Sequence, residues 1–457
     1  MSSIFNLPQF KSYSKQWEAR QAELITRAGY YDGSIYKKAR DQFWTLGAQV
    51  NGKIRPLFLP FARAVDVDAG IIGSGWEFPE DDPKAEVWCQ ARDVLFDNSD
   101  WDTQGVLFIH YGAMYGVSGL RVSDSPIVTI VPADPTRFML VYSGVYNKEP
   151  VMCLWVEKRL DDDGKEYEYA EVITDTTIST YKAGELFGYD GRDPMYENTI
   201  GKVPVFECLH INDGTPLGEC TYQKAVVLLN ELNDMASRLL EIIKRHADPQ
   251  TVITGAEPSD LQRGSDIAWF LPAGADAQFV ASAIDIPGVL SFIQEIKTGV
   301  HDALPELSFD ELKKAGQVAT ATLELQLMEL VIKIKRCRPN YDRALVYAMQ
   351  LAGVAAKQIG DASISPLDDP ELILDAHRNI LPDSEMDEVQ LEKARWDTVN
   401  AAVNNGNGIP LETALIEIMD WQPKQLTNLG VQKAAAILNA QEDIAPVDPA
   451  TNQPMSQ

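Results

Sequence analysis

The chain has 457 residues, 45% of them hydrophobic and 23% charged, with 67 acidic against 40 basic side chains and a formal net charge of −27. That length exceeds what one hydrophobic core organises, so more than one domain is expected, and the balance of apolar and charged residues is that of a globular protein. Such an acidic excess repels nucleic-acid phosphates at long range and excludes a conventional DNA-gripping protein, but not one that surrounds DNA without holding it.

The first residues, MSSIFNLPQFKSYSKQWEAR, lack a basic segment followed by an apolar one and are not expected to act as a secretory signal. Residues 14–46 favour helix. The following GKIRPLFLPFARAVDVDAGIIGSGWEF reads as broken chain, because Pro56, Pro60, Gly70, Gly73 and Gly75 interrupt it. Residues 83–97 and 102–115 read as amphipathic helices. Strands then dominate, in SGLRVS, IVTIVPA and FMLVYS, and VMCLWVEKRL-DDDG-KEYEYAEVIT reads as a hairpin around an Asp-Gly turn. GKVPVFECLHIND, from Gly201, adds another strand.

From Thr221 the pattern becomes long helix. Residues 221–246 contain neither Gly nor Pro, and Ala225, Leu229, Leu232, Ala236, Leu239 and Ile243 form one apolar stripe at 4-3-4-3-4 spacing, suited to packing on a neighbouring helix. The element is about 39 Å long, and Pro249 stops it. Residues 249–287 form a compact insert with short strands in QTVITG, SDIAWFLPAG and AQFVASAIDI and a turn of helix at EPSDLQRG. A second helix, 288–304, carries Val289, Phe292, Ile296, Val300 and Ala303 on one face. After a loop bearing Lys313 and Lys314 beside Gly316, residues 319–358 read as a helix with Leu323, Leu327, Leu330, Ile334, Cys337, Tyr341, Leu345 and Ala348 in register, kinked at Pro339. Three short helices are expected across 383–440, and the Pro-rich polar tail from 441 is expected to be disordered.

No enzyme signature is complete. GAQVNGKI (47–54) fits G-x-x-x-x-G-K but places Ile54 where a magnesium-binding hydroxyl is needed, so it reads as a plain loop. GIIGSG (70–75) and GAMYGVSG (112–119) are glycine-rich without the dinucleotide-binding spacing; Gly116 and Gly119 instead mark tight backbone where helix passes into strand. RLDDDGKEYEYA lacks the first and last carboxylates of a calcium loop, and the hairpin reading is preferred. Five scattered cysteines with no C-x-x-C, and five histidines without ligand spacing, make a metal site and a disulfide framework unexpected. No stretch approaches the roughly 20 apolar residues of a membrane span. No catalytic residue, metal site or cofactor is therefore assigned.

The order of segments resembles the portal proteins of tailed bacteriophages. The resemblance rests on RAGYYDGSIY (27–36), YGAMYGVSGLRV (111–122), IVPADPTRFMLVYS (130–143), the run from GKVPVFECLHIND to RHADPQTVITG (201–255), LKKAGQVATATLELQL and NNGNGIPLETALIEIM (404–419). It spans roughly residues 20–430 and lies in order and spacing rather than in one motif. It implies an α+β, predominantly helical portal fold: a mixed α/β wing at 1–220 and 319–380, stem helices at 221–248 and 288–305, a small α/β clip at 249–287, a tunnel loop at 306–318 and a helical crown at 381–440.

The resemblance further implies a ring, usually of twelve subunits, at one capsid vertex of the virion, assembled in the host cytoplasm. Such a ring nucleates procapsid assembly with major capsid and scaffolding proteins, docks the terminase large subunit, later binds head-completion or adaptor proteins, and passes double-stranded DNA by transient, non-specific contact. In that setting Lys313, Lys314, Ala315, Gly316 and Gln317 would face the DNA. Lysine suits brief contact, being a flexible hydrated point charge, although Glu306, Asp310 and Glu311 share the segment. Asp260, Gln262, Arg263, Trp269 and Phe270 would form a partner or subunit interface, and Leu229, Leu232, Ala236, Leu239 and Ile243 the stem packing. Two other classes remain open on the residues alone: an acidic hydrolase with an unrecognised carboxylate pair, and a helical virion scaffold or adaptor.

Overall fold

The computed structural model describes residues 2–36, 58–254 apart from 74, 80–81, 125, 145–148, 162, 189–190 and 248–249, then 276–280, 286–308, 327–375, 393–399, 403, 410, 413 and 415–416. The chain divides into two compact units: residues 1–318 with 323–380, and 319–322 with 381–457. In the second unit residues 393–399 are helical.

Helix α1 (Ser14–Tyr31) ends before the Asp32-Gly33 pair, where the Asp32 carboxylate accepts a hydrogen bond from the Ser34 N–H at 2.7 Å. The interrupted stretch that follows is not broken chain throughout. Helix α2 (Phe61–Ile72) runs through it. Pro60 is the residue immediately before the helix, where a missing N–H costs nothing, and Gly70 lies on its exposed side. The residues read as interruptions thus start the helix or ride on its outer face, while Phe61, Ala64, Val65, Asp68, Ala69 and Ile72 face inward.

Helices α3 (Ala85–Ser99) and α4 (Trp101–Tyr115) meet at Asp100, whose left-handed backbone (φ 49°) redirects the chain. Gly116 (φ 83°) ends α4, and any side chain there would lie 2.2 Å from Arg27 Nη1. Glycine is needed for conformation and for space alike.

Strands β1 (Val117–Ser123), β2 (Thr129–Ala133) and β9 (Val205–Leu209) form an antiparallel three-stranded sheet in the order β2-β1-β9. A six-stranded sheet carries β3 (Phe138–Tyr142), β4 (Pro150–Leu160), β5 (Glu166–Thr174), β6 (Thr177–Lys182) and β7 (Glu185–Leu186) in chain order, with β8 (Met195–Glu197) also on β6. The β4–β5 hairpin pairs Leu160 with Glu166. At its turn the Asp161 carboxylate accepts from the Lys165 N–H at 2.7 Å. Alternation along β4 gives this sheet two buried faces. Leu154 joins Met139, Ala170 and Val172 under Ile4, Phe5, Phe10 and Trp17, while Cys153 and Trp155 join Phe138, Ile173 and Val205 on the opposite face. Strands β6 to β8 have no counterpart in the sequence reading, because they are short and rich in Thr, Ser and Tyr rather than aliphatic residues.

Helix α5 (Val226–Ala247), preceded by a single 3-10 turn, leads into β10 (Gln250–Thr254), which pairs antiparallel with β11 (Asp276–Val280) before helix α6 (Ile286–Asp302). A 3-10 turn, Pro305–Ser308, follows α6. Helix α7 (Met328–Ile359) is continuous through Pro339 and buries Leu330, Ile334, Cys337, Tyr341, Leu345 and Ala348, the apolar register expected of it.

Candidate functional site

The helical and sheet parts meet in one apolar core. Leu24 of α1, Phe61 and Val65 of α2, Met114 and Tyr115 of α4, Leu229 and Leu232 of α5, Ile296 and Val300 of α6, and Leu304 and Leu307 beyond it all belong to that core. Polar side chains fix how the elements enter it. Arg27 donates from Nη1 to the carbonyls of Tyr115 (2.7 Å) and Gly218 (2.9 Å), and the Tyr222 hydroxyl lies 2.8 Å from the carbonyls of both Arg27 and Met114. Asn230 of α5 accepts from the Tyr36 hydroxyl at 2.9 Å, and Asn233 accepts from the Phe58 N–H at 2.9 Å. The root of α5 is thus tied to the N-terminal segments by directed bonds as well as by packing.

Beside this core lies a buried group of ionisable side chains from four separate parts of the chain. Asp68 of α2 and His210, just after β9, are fully buried, as is Glu306 in the turn after α6. Lys333 of α7 donates to Glu306 Oε1, lies 3.3 Å from Asp68 Oδ2, and reaches the Thr221 carbonyl at 3.3 Å. The Thr221 hydroxyl donates to Asp68 Oδ2 at 2.5 Å. His210 Nε2 lies 3.4 Å from the same carboxylate oxygen, 3.1 Å from the Thr221 hydroxyl and 3.9 Å from Cys337 Sγ, while Nδ1 lies 2.8 Å from the Tyr341 hydroxyl. Tyr341 reaches this position because residue 112 of α4 is glycine: a side-chain carbon there would sit 1.9 Å from its hydroxyl oxygen.

The electrostatics follow from dehydration and neighbours. Burial disfavours the Asp68 carboxylate, but Lys333, His210 and Thr221 outweigh it and hold the group below the usual range. Burial also works against charge on His210, yet Cys337 and Asp68 push it up to about 9. Lys333 is likewise held above its ordinary value: burial opposes its charge, and Asp68 and Glu306 overcome that. Glu306 goes the other way from Asp68. Burial and the Asp68 charge raise it, Lys333 offsets them only in part, and it lies at about 7.

This geometry is not a nucleophile relay. Asp68 and Cys337 address the same imidazole nitrogen, whereas a thiol–imidazole–carboxylate relay needs them on opposite nitrogens. Among the described residues no three His, Cys, Asp or Glu side chains converge with metal-ligand geometry, and no helix is long and apolar enough to cross a membrane.

Of the residues picked out from the sequence, Leu229, Leu232, Ala236 and Leu239 are buried, whereas Ile243 is 44% exposed in the single chain. The same two helices carry further uncovered apolar groups: Val227 (75% exposed) of α5, and Leu290 (50%) and Phe292 (47%) of α6. Lys313, Lys314, Ala315, Gly316 and Gln317, like Asp260, Gln262, Arg263, Trp269 and Phe270, lie outside the described residues. Glu306, grouped with the loop on sequence, is instead buried against Lys333. The charged cluster escaped sequence reasoning, although two signals pointed to it. Asp68 interrupts the apolar face of α2, and Lys333 falls between Leu330 and Ile334 on the buried face of α7.

The family model of phage portal proteins, SPP1 Gp6-like, matches residues 110–352. That is more than half of the chain, and it takes in both paired helices, β1 to β11 and most of α7. The chain belongs to this family of phage portal proteins, which is structural rather than enzymatic. Among solved structures it is similar to a chain in the neck of an empty GTA particle computed with C6 symmetry, at 13% identity and TM-score 0.43, covering 81% of this chain and 89% of that one. A chain in the neck of the native GTA particle computed with C12 symmetry gives 14% identity and TM-score 0.40, covering 79% and 89%. No curated protein matches the chain.

Proposed function

We propose that the protein is a portal subunit that assembles, as about twelve copies, into a ring at one vertex of a phage capsid and forms the channel through which double-stranded DNA enters and leaves. In this reading α5 and α6 are the stem, residues 249–287 are the clip that meets the terminase large subunit and later the adaptor proteins, and 381–440 form the crown. The ring nucleates procapsid assembly with capsid and scaffolding proteins in the host cytoplasm and stays in the virion. The part of the 306–318 segment beyond the buried Pro305–Ser308 turn lines the tunnel, where Lys313 and Lys314 touch DNA briefly against a repulsive acidic background.

The observation that carries the reading, beside family membership, is the set of uncovered apolar side chains on these two helices. Val227, Ile243, Leu290 and Phe292 are between 44% and 75% exposed in the single chain, although Leu229 and Leu232 of α5 and Ile296 and Val300 of α6 are buried in the core. Neighbouring copies of the same helix pair would cover them. Negative-stain microscopy of the purified protein tests this: rings with a central hole are expected, and a uniform monomer at every concentration overturns it.

A further inference from the structure

The ionisable group around Lys333 has a chemistry that portal-family membership does not assign. Two dehydrated carboxylates share one ammonium, but they are unequally served. Asp68 also has the His210 ring and the Thr221 hydroxyl, whereas Glu306 has Lys333 alone among the described side chains. Each carboxylate keeps one oxygen, Asp68 Oδ1 and Glu306 Oε2, buried with no hydrogen-bond donor among the described residues. A buried anionic oxygen without a donor is costly, and two like charges on one cation repel strongly once water is excluded. A proton on the less well served carboxylate relieves both penalties.

We propose that this cluster is a proton-operated latch: Glu306 binds a proton while the 305–308 turn is seated against α2 and α7, and losing that proton loosens the seat. The latch connects the end of α6 to α2 and α7, so proton loss would free the base of the proposed stem from the sheet-bearing part of the same unit.

The titratable and charged groups around Glu306 can be named by element. Asp68 comes from α2 and Lys333 from α7, with Cys337 and Tyr341 on the same helix farther along. His210 follows β9. Helix α6 carries His301 and Asp302 in its last turn, and both are more exposed than Glu306. The balance of these surroundings agrees with the geometry. Burial and Asp68 raise Glu306 from 4.5 to about 7 against the pull of Lys333. A carboxyl raised on folding contributes stability that is complete below its unfolded value near 4.5 and lost as pH rises through about 7. His210, raised from 6.5 to about 9, contributes with the same sign in a higher window, so the comparison must be between variants and not on wild-type slope alone.

The test uses the full chain as purified, whatever its assembly state. Melting temperatures are measured from about pH 5 to about pH 8 for wild type, Glu306→Gln and Asp68→Asn. Glutamine has the shape of the protonated acid. Glu306→Gln is therefore expected to melt at or above wild type at the alkaline end and to lose most of the decline seen in wild type through neutrality. Asp68→Asn, which removes the charge that the cations actually balance, is expected to melt lower throughout. Should Glu306→Gln melt below wild type at the alkaline end, or keep the full decline, Glu306 is an ordinary ion-pair partner and the latch is wrong. Hydrogen exchange at residues 304–308 gives an independent reading. After correction for intrinsic rates, opening linked to loss of one proton speeds exchange by up to about tenfold per pH unit between the unfolded value near 4.5 and about 7 in wild type, levelling off above that, and not in Glu306→Gln. Corrected exchange that is flat with pH in wild type also overturns the proposal.

Discussion

At the scale of single residues, the group that matters most is a lysine in an otherwise apolar row. Lys333 falls between Leu330 and Ile334 on the buried face of α7 and meets two carboxylates that no water reaches. A buried ion pair adds little net stability over an apolar replacement of both partners, but removing one partner strands the other. Lys333→Met keeps most of the side-chain volume, leaves Glu306 without its cation and leaves Asp68 with only the His210 ring as a cation among the described residues. The expected loss is about 3–5 kcal/mol in chemical denaturation, well beyond the effect of an exposed pair such as Lys158–Glu166. A loss comparable to that of an exposed pair would mean that the cluster is hydrated. The same residues show where sequence reading fails. Asp68, His210, Glu306 and Lys333 are separated by long stretches of chain and belong to no motif, so only the packing of α2 and α7 brings them together.

At the scale of elements, legibility followed periodicity. The 4-3-4-3-4 stripe of α5 and the long register of α7 could be read because one face of each helix is continuously apolar, and the β4–β5 hairpin because an Asp-Gly turn separates two β-rich runs. Helix α2 was lost to Pro60 and Gly70, since a rule that treats these residues as interruptions ignores their tolerance before a helix and on its exposed side. The paired helices α5 and α6 also present two faces with opposite consequences. Charging the inner face, as in Leu232→Asp, places a carboxylate in the shared core and is expected to prevent folding. Charging groups off that face, as in Val227→Asp with Leu290→Asp, touches only exposed side chains, so the subunit should stay folded while the assembly shifts from ring to monomer in light scattering. A double variant of this kind that still forms rings of normal mass would remove these side chains from the subunit interface.

At the scale of the whole molecule, the charge of −27 and the two loop lysines belong to one argument. A channel that bound DNA tightly would stall it, because each neutralised phosphate adds to affinity and to its dependence on salt. In the proposed channel an acidic wall would keep the duplex away from the sides, so the proposed inward loop could touch it with few cations and release it readily. Burial of Glu306 against Lys333 favours this economy, since that carboxylate is withdrawn from the open part of the segment and cannot offset Lys313 or Lys314 there. With one such loop per subunit of the proposed ring, Lys313→Ala/Lys314→Ala would remove a whole ring of cationic side chains in a single variant. The double variant is expected to form rings normally, to leave the melting temperature unchanged, and to reduce DNA packaging or retention, with a larger defect at low salt, where unscreened contacts count most. Packaging and retention at wild-type levels across salt concentrations would show that DNA passes without touching these lysines, and that the acidic wall alone governs its passage.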